Sequence, residues 1–163
     1  MGSTFRNGHI PSCERHIAKG IVMTSEPLGE ERGSPSLLPL SGDQKAAIRA
    51  TRQGLPVTQL QDLVDTGRLS LTEIDRIILP RKTLSHRRKI GVLTPNQSDR
   101  LLRVAGIVIA AERTFGSRGK AARWLRRPTT ALDGETPISL LDTTAGSRVV
   151  EDLLSRIDYG LAT

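Results

Sequence analysis

A proline divides residues 69–89 into two short helical segments, and this division constrains the fold more than any other feature of the chain. Ser70 and Glu73 have the spacing of a capping box, in which each side chain accepts the other residue's backbone N–H, and they mark a helix start. Pro80 ends that helix because it has no N–H to donate and its ring clashes with the preceding turn. The expected core face of this helix is Leu71, Ile74, Ile77 and Ile78. The sequence therefore predicts two helices joined by a sharp turn, with Leu84 as the inward anchor of the second.

The second of these helices is strongly basic between Arg81 and Lys89. Like charges crowded on one helix repel one another unless a polyanion neutralises them, which points to nucleic acid. The major groove of B-DNA admits one α-helix, and a helix-turn-helix braces that helix with the one before it. The predicted DNA-binding residues are Arg81, Lys82, Ser85, His86, Arg87, Arg88 and Lys89. Arg87 and Arg88 are expected to contact phosphates; the alternative interpretation is a solvated basic face.

The other helical signals extend from Ser41 towards the C-terminus, and no period-2 segment of useful length interrupts them. Capping-box spacing predicts further helix starts, and glycines predict helix ends. The starts are Ser41 with Gln44 and Thr94 with Gln97, and the ends are Gly54, Gly91 and Gly116. Pro56 and Pro95 are expected at first helical positions. Because the chain has only four aromatic residues, aliphatic side chains must form the core, and the predicted fold is all-α.

The longest apolar run, Val104–Ala111, lies within the helix that is predicted to start at Pro95 and to end at Phe115. A helix that is apolar on all sides is expected to be buried on all sides. In so small a chain, this predicts a core helix that also meets a second subunit. The interface of the predicted homodimer is expected around Ile107.

Charge is distributed unevenly along the chain. Residues 41–128 hold 18 Lys and Arg against seven Asp and Glu, whereas residues 129–163 hold two against six. Such asymmetry indicates two partners with different surfaces. Residues 1–40 have balanced charge, no hydrophobic period and many Gly, Ser, Pro and Glu residues, and they are predicted to be a disordered tail.

Several classes of protein do not fit the sequence. The longest apolar run has eight residues, against about 20 for a membrane helix, and no signal peptide is visible. The single cysteine, Cys13, excludes an intrachain disulfide and fits a reducing compartment, so a cytoplasmic protein is expected. No catalytic or nucleotide-binding motif occurs, so neither catalysis nor a cofactor is predicted. His9, Cys13 and His16 lack a fourth ligand, so no metal site is predicted, and Met23 is an alternative start to Met1.

Four blocks of sequence, in order, resemble the Xre/MbcA/ParS antitoxins of bacterial toxin–antitoxin pairs whose toxin has a RES domain. The blocks are PRKTLSHRRK (80–89), LTPNQSDRLLR (93–103), FGSRGKAARWLRRP (115–128) and TPISLLDTTAGSRVVEDLLSRIDYG (136–160). The resemblance covers about two thirds of the chain, from about Gly54 to Gly160. One departure is LDG at 132–134, where the family pattern has LGG or similar, and it is expected to alter a turn.

The resemblance implies an N-terminal helix-turn-helix region and a C-terminal toxin-binding domain, both helical and neither enzymatic. On this basis, residues 41–93 are assigned to DNA binding and residues 94–163 to toxin binding and dimerisation. Members of the family bury the active site of their toxin, and they or the complex repress their own operon. RES toxins act on NAD, some by degrading it and some by ADP-ribosylating a protein. The implied partners are a RES-domain toxin and operator DNA, with a homodimer and a larger toxin–antitoxin assembly.

The C-terminal end is the expected toxin contact. An NAD site must hold a pyrophosphate and tends to be cationic, so an acidic segment suits it. The acidic residues here are Asp142, Glu151, Asp152 and Asp158. The predicted toxin-binding residues are Arg156, Asp158, Tyr159 and Gly160, with the amphipathic Tyr159 as a plug. The alternative is that Ile157 and Tyr159 only seal the chain's own core.

Two other functions compete with that of an antitoxin. One is a stand-alone helix-turn-helix repressor without a toxin, and the other is a helical partner that sequesters a protein without binding DNA. An adjoining gene for a RES domain would distinguish an antitoxin from a stand-alone repressor. A promoter-binding assay would distinguish an antitoxin from a partner that does not bind DNA. Trp124 is expected in the core, whereas the sequence leaves Arg123, Arg126 and Arg127 open among DNA, toxin and solvent.

Overall fold

The computed structural model describes residues 44–161, and within that range the chain is all helical, as predicted. Its α-helices are α1 (Gln44–Gln53), α2 (Val57–Asp65), α3 (Leu71–Ile77), α4 (Arg81–Ile90), α5 (Pro95–Phe115), α6 (Arg118–Arg126) and α7 (Thr144–Asp158). Two 3₁₀ helices, Thr130–Leu132 and Pro137–Asp142, connect α6 to α7. None of the helices in this range is long and apolar enough to cross a membrane. Outside the described residues lie the predicted tail at 1–40, the start at Met23, the Ser41 cap and the group His9, Cys13 and His16.

Local sequence signals set most helix boundaries. The Ser70 hydroxyl accepts the N–H of Glu73 at 3.2 Å, and the Glu73 carboxylate accepts the N–H of Ser70 at 2.7 Å, which confirms the capping box of α3. Thr94 and Gln97 form the same box before α5, and Pro95 is the first residue of that helix. The predicted terminators Gly54, Gly91 and Gly116 each follow a helix with positive φ.

Pro56 lies one residue outside the helix that it was predicted to begin. It is the N-cap of α2 rather than the first helical residue, with ψ at 138°. An isolated antiparallel bridge pairs Pro56 with Val92, and the N–H of Val57 donates to the Gly91 carbonyl at 2.9 Å. This pairing holds Pro56 in an extended conformation, so α2 begins at Val57.

Helix α5 lies at the centre of the fold, in contact with α1, α6 and α7. Its buried side chains are Ser98, Leu101, Val104, Ala105, Ile107, Val108 and Ala111. The Ile107 side chain is enclosed completely by the chain's own core, so it is not available for the dimer contact predicted around it; the dimer itself stays a prediction. Gly106 is exposed and Ile109 and Ala110 are half-buried, so α5 also keeps an outer face.

The basic pair of helices is held by the predicted anchor. Leu84 is buried in the same cluster as Ile74 and Ile78. Leu71 was expected in this core as well, but its side chain is 41% exposed. A helical side chain leans towards the N-terminus and covers the turn before its own Cα. Leu71 is the first residue of α3 and has no preceding turn to cover, so its side chain points beyond the helix end.

Contacts on both sides join α5 to the elements around it. The N–H of Leu55 donates to the buried Ser98 hydroxyl at 2.8 Å. Arg68, between α2 and α3, donates from Nε and Nη2 to the two carboxylate oxygens of Glu112 at 2.9 and 3.0 Å. On the other side, the rings of Phe115 and Trp124 pack with centroids 5.3 Å apart, and Trp124 is half-buried against the core, as expected. Helix α5 therefore supports both the helices before it and those after it.

Candidate functional site

Hydrogen bonds from Arg81 join the start of α4 to α3. The N–H of Arg81 donates to Asp75 Oδ1 at 2.6 Å, and Arg81 Nη2 donates to Thr72 Oγ1 at 3.3 Å. The N–H of Leu79 donates to the Ile74 carbonyl at 3.0 Å and closes the turn between the helices. The carboxylate at the start of α4 also interacts favourably with the positive end of the helix dipole. These contacts fix the relative position of the two helices, as a helix-turn-helix requires.

Most of the predicted DNA-binding residues lie on the outer surface of α4. The exposed ones are Arg81, Lys82, Ser85, His86, Arg88 and Lys89. Arg87 is half-buried, and its Nε atom has no hydrogen-bond partner among the described residues. Arg87 follows the buried Leu84 by three residues, so it lies on the inner side of the helix. The outward basic surface of α4 therefore depends mainly on the other six residues.

Glu73 lies at a junction that the sequence did not reveal. Besides capping α3, its carboxylate accepts Arg126 Nε at 2.7 Å and Arg126 Nη2 at 2.9 Å. Arg126 Nη2 also donates to the Arg68 carbonyl at 3.2 Å. Burial raises the pKa of Glu73, but hydrogen bonds from Arg126 and Ser70 outweigh burial and hold that pKa below its ordinary value of 4.5. Arg126 is thus an internal tie between α6 and α3.

The end of α7 carries the predicted toxin-binding residues, which are all exposed: Arg156, Asp158, Tyr159 and Gly160. The N–H of Leu161 donates to the Arg156 carbonyl at 2.8 Å. The N–H of Gly160 donates to the Ile157 carbonyl at 2.9 Å, and Gly160 has φ at +68°, which completes a Schellman cap. Tyr159 is 80% exposed and does not seal the chain's own core, whereas Ile157 is half-buried.

The outer surface of α7 carries more carboxylates than cations, with Arg148 and Arg156 also exposed, and it is partly apolar. The helix turns Val150, Leu153 and Leu154 into the core. The carboxylates exposed on α7 and just before it are Asp142, Glu151, Asp152 and Asp158. Val149 and Leu161 are exposed apolar side chains on the same segment. This surface combines negative charge with side chains that gain from burial against a partner.

The LDG departure from the family pattern falls at a turn where the backbone favours glycine. Asp133 has φ at +55°, and it is the one non-glycine residue with positive φ in the range 44–161. Gly134 follows with φ at +84°. This left-handed conformation costs a residue with a Cβ about 1 kcal/mol or more, and Asp adopts it more readily than most. The substitution therefore keeps the turn but adds strain to it.

These features define a helix-turn-helix protein with a second helical domain that presents an exposed acidic end. Residues 46–106 match the model of the antitoxin Xre-like helix-turn-helix domain, and residues 110–160 match that of the antitoxin Xre/MbcA/ParS C-terminal toxin-binding domain. The chain belongs to the Xre family of antitoxins. The two matched regions divide within α5, which supports both of them.

Proteins named Antitoxin Xre from three bacteria are similar to this chain. The protein of Pseudomonas putida is 41% identical over 125 residues, which is 75% of this chain and 77% of that protein. The protein of Photorhabdus laumondii is 33% identical over 142 residues, which is 85% of this chain and 93% of that protein. The protein of Yersinia enterocolitica is 33% identical over 127 residues, 66% of this chain and 86% of that protein.

Proposed function

We propose that this antitoxin neutralises a RES-domain toxin, which consumes NAD or ADP-ribosylates a protein, by covering the toxin's active site. We also propose that it represses its own operon by binding DNA. It acts as a binding protein in the cytoplasm, without catalysis and without a cofactor. The observation that carries the toxin half of the proposal is the 80% exposure of Tyr159 at the capped end of α7.

The chemistry of the α7 end suits an NAD-binding cleft. Such a cleft must attract a pyrophosphate, so cationic groups or helix N-termini line it. The exposed carboxylate of Asp158 complements such groups, and the Tyr159 ring fills an amphipathic slot with its hydroxyl at the polar end. The Schellman cap limits the conformations of these residues before binding, which lowers the entropic cost of docking.

Truncation of the chain tests the toxin half. A variant that lacks residues 156–163 should fail to inhibit the purified cognate toxin in an assay of NAD consumption or ADP-ribosylation. Tyr159→Ala should weaken inhibition by at least tenfold, because aromatic anchors at the centre of an interface commonly contribute about 2 kcal/mol or more. Tyr159→Phe is the matched control and should retain most of the inhibition. Full inhibition by the truncated chain would overturn the toxin contact.

The DNA half depends on the exposed basic surface of α4. We propose that Lys82, Ser85, His86 and Lys89 contact base edges or phosphates, with Arg81 and Arg88 at the DNA backbone. Helix-turn-helix proteins commonly bind as dimers because operators have twofold symmetry, so we propose a homodimer and a larger assembly with the toxin. Light scattering of the purified chain should give twice the monomer mass at working concentration; a monomer mass would remove the dimer.

A stand-alone repressor is the alternative, and the exposed α4 surface alone is compatible with it. The exposed Tyr159 favours the antitoxin, because a repressor without a protein partner gains nothing from an uncovered aromatic side chain at its surface. Co-expression with the product of the adjoining gene separates the two functions. An antitoxin should copurify with that product and restore growth, whereas a stand-alone repressor should do neither.

A further inference from the structure

We propose that α6 and its C-cap carry a second contact to the DNA backbone, formed by Lys120, Arg123 and Arg127. This row lies in the region that matches the toxin-binding domain, so operator binding would use both regions of the chain. The inference rests on the proposed DNA binding and extends it beyond the helix-turn-helix.

Lys120 and Arg123 share one face of α6, and Arg127 is the C-cap of that helix, with an extended backbone. A spacing of three residues places Lys120 and Arg123 on one side of the helix, and Arg127 follows four residues later, where the helix ends. All three are exposed, whereas Ala121 and Leu125 on the opposite side are buried. No carboxylate within the described residues forms an ion pair with this row. A row of unneutralised cations on one helix face weakens the helix slightly and is stabilised by a polyanion.

The other two arginines of α6 behave differently. Arg126 is paired with Glu73, and Arg118 Nε lies 3.6 Å from Glu112 Oε1. The helix therefore divides its cations into an inner pair, which anchors α6 to α3 and α5, and an outer row, which faces solvent. Because the inner pair already anchors the helix, the cations of the outer row are available to bind a partner.

The inner pair also locates the outer row relative to the DNA-binding helices. Arg126 holds the last turn of α6 against Glu73, which caps the N-terminal end of α3. At that same end, Thr72 accepts a hydrogen bond from Arg81 at the start of α4. In a helix-turn-helix, the N-terminal residues of the recognition helix contact the bases. The last turn of α6 and the Arg81 side chain thus both contact the first turn of α3, which brings the end of α6 near the start of the recognition helix.

Charge favours DNA over the toxin as the partner of this row. The surface proposed for the toxin's cationic cleft, on α7 and just before it, holds four exposed carboxylates: Asp142, Glu151, Asp152 and Asp158. A toxin surface that accepts those carboxylates would repel the α6 row if it covered both. Duplex phosphates carry one negative charge per about 1.7 Å of helix axis, so a flanking row of cations has a continuous partner along the DNA.

The salt dependence of operator binding tests the row. The full chain and the double variant Arg123→Ala with Arg127→Ala are titrated with the promoter duplex by fluorescence anisotropy, at salt concentrations from about 50 to about 200 mM. Each lost phosphate contact lowers the slope of log K against log salt by about 0.9 in magnitude, so the variant should lose between about one and two units. A scrambled duplex should show the same loss, because phosphate contacts do not read sequence.

Two controls distinguish a lost DNA contact from a change in the structure of the protein. Arg123→Lys with Arg127→Lys keeps the charges and should keep the slope. Arg148→Ala removes one exposed cation from α7 and should leave the slope unchanged. Alanine is a strong helix former at exposed positions, and thermal unfolding by circular dichroism should show the Ala variant folded.

Each outcome has one meaning. If the parent chain binds the promoter and the Ala variant keeps the same slope, the α6 contact is overturned while the proposed DNA binding stands. If the Ala variant keeps the slope but loses inhibition of the toxin, the row belongs to the toxin interface and the inference is likewise overturned. If the parent chain binds no duplex, the proposed DNA binding fails, and the α6 contact fails with it.

Discussion

The α3–α4 pair and the end of α7 differ in how their side chains are held. In the pair, Asp75 holds the start of α4 and Glu73 joins α3 to α6. At the end of α7, backbone hydrogen bonds among the described residues shape the cap, and Tyr159 is 80% exposed. A surface that must fit the fixed dimensions of a DNA groove gains from such rigidity. A surface that enters a partner's cleft instead needs its contact groups uncovered.

The largest expected effect comes from Gly146→Ala, which disturbs α7 and spares the DNA-binding pair. A Cβ at this position would overlap the backbone carbonyl of Leu140, and neither backbone can yield easily. We expect a loss of about 3 kcal/mol in the free energy of unfolding, typical of severe overpacking, measured by urea denaturation. Gly106→Ala is the control: its Cβ would meet open space within α5, so it should stabilise the chain by about 0.5 kcal/mol. Equal effects of the two substitutions would contradict the packing of α7.

A smaller effect is expected when Arg126→Ala separates α6 from α3. The pair is partly exposed, so the loss at pH 7 should be about 1 kcal/mol, already discounted for solvent screening. Because the pKa of Glu73 is lowered in the folded state, its stabilisation is present above 4.5 and is lost as the pH falls through the folded value.

Urea denaturation at several pH values measures this dependence. The parent chain should lose more stability than Arg126→Ala on acidification below 4.5, because the variant has already lost the main partner of Glu73. Parallel pH profiles for the two proteins would mean that the pair does not join the two regions energetically.

The smallest effect is expected from Asp133→Gly, which restores the family pattern at the turn before the α7 region. Glycine adopts positive φ without steric cost, so the variant should gain about 0.5 kcal/mol in the free energy of unfolding. Asp133→Ala should lose a similar amount, because alanine can neither adopt this conformation easily nor form local hydrogen bonds as Asp does. The midpoint of thermal unfolding should be highest for the Gly variant, intermediate for the parent with Asp133 and lowest for the Ala variant. Any other order would contradict the strain assigned to this turn.

The sequence predicted what depends on neighbours along the chain. The capping boxes at Ser70 and Thr94 and the break at Pro80 were confirmed, because each signal acts within one helical turn. The sequence failed where distant residues decide. The Glu73–Arg126 pair spans 53 positions, and no periodicity connects them. The apolar run around Ile107 predicted a dimer interface, which stays a prediction, but the helices packed around α5 enclose the Ile107 side chain itself.

The candidate sites divide in the same way. The half-buried position of Arg87 follows from its helical spacing to Leu84, whereas the charge of the cluster alone predicts an exposed side chain. The exposure of Tyr159 was left open by the sequence, because it depends on how α7 packs against the rest of the chain. The sequence does not separate the cations of α6 into paired and unpaired ones, because the partner of Arg126 is Glu73, which is distant along the chain.

The central claim is that one chain binds DNA with its basic helix pair and the toxin with its acidic end, through separable surfaces. A crossed assay tests it most directly: promoter binding and toxin inhibition are measured for the parent, for Arg88→Ala with Lys89→Ala, and for the chain that lacks residues 156–163. We predict that the first variant loses affinity for the promoter but inhibits the toxin fully, and that the truncated chain binds the promoter but no longer inhibits. Loss of both activities in either folded variant, or of neither, would contradict the account.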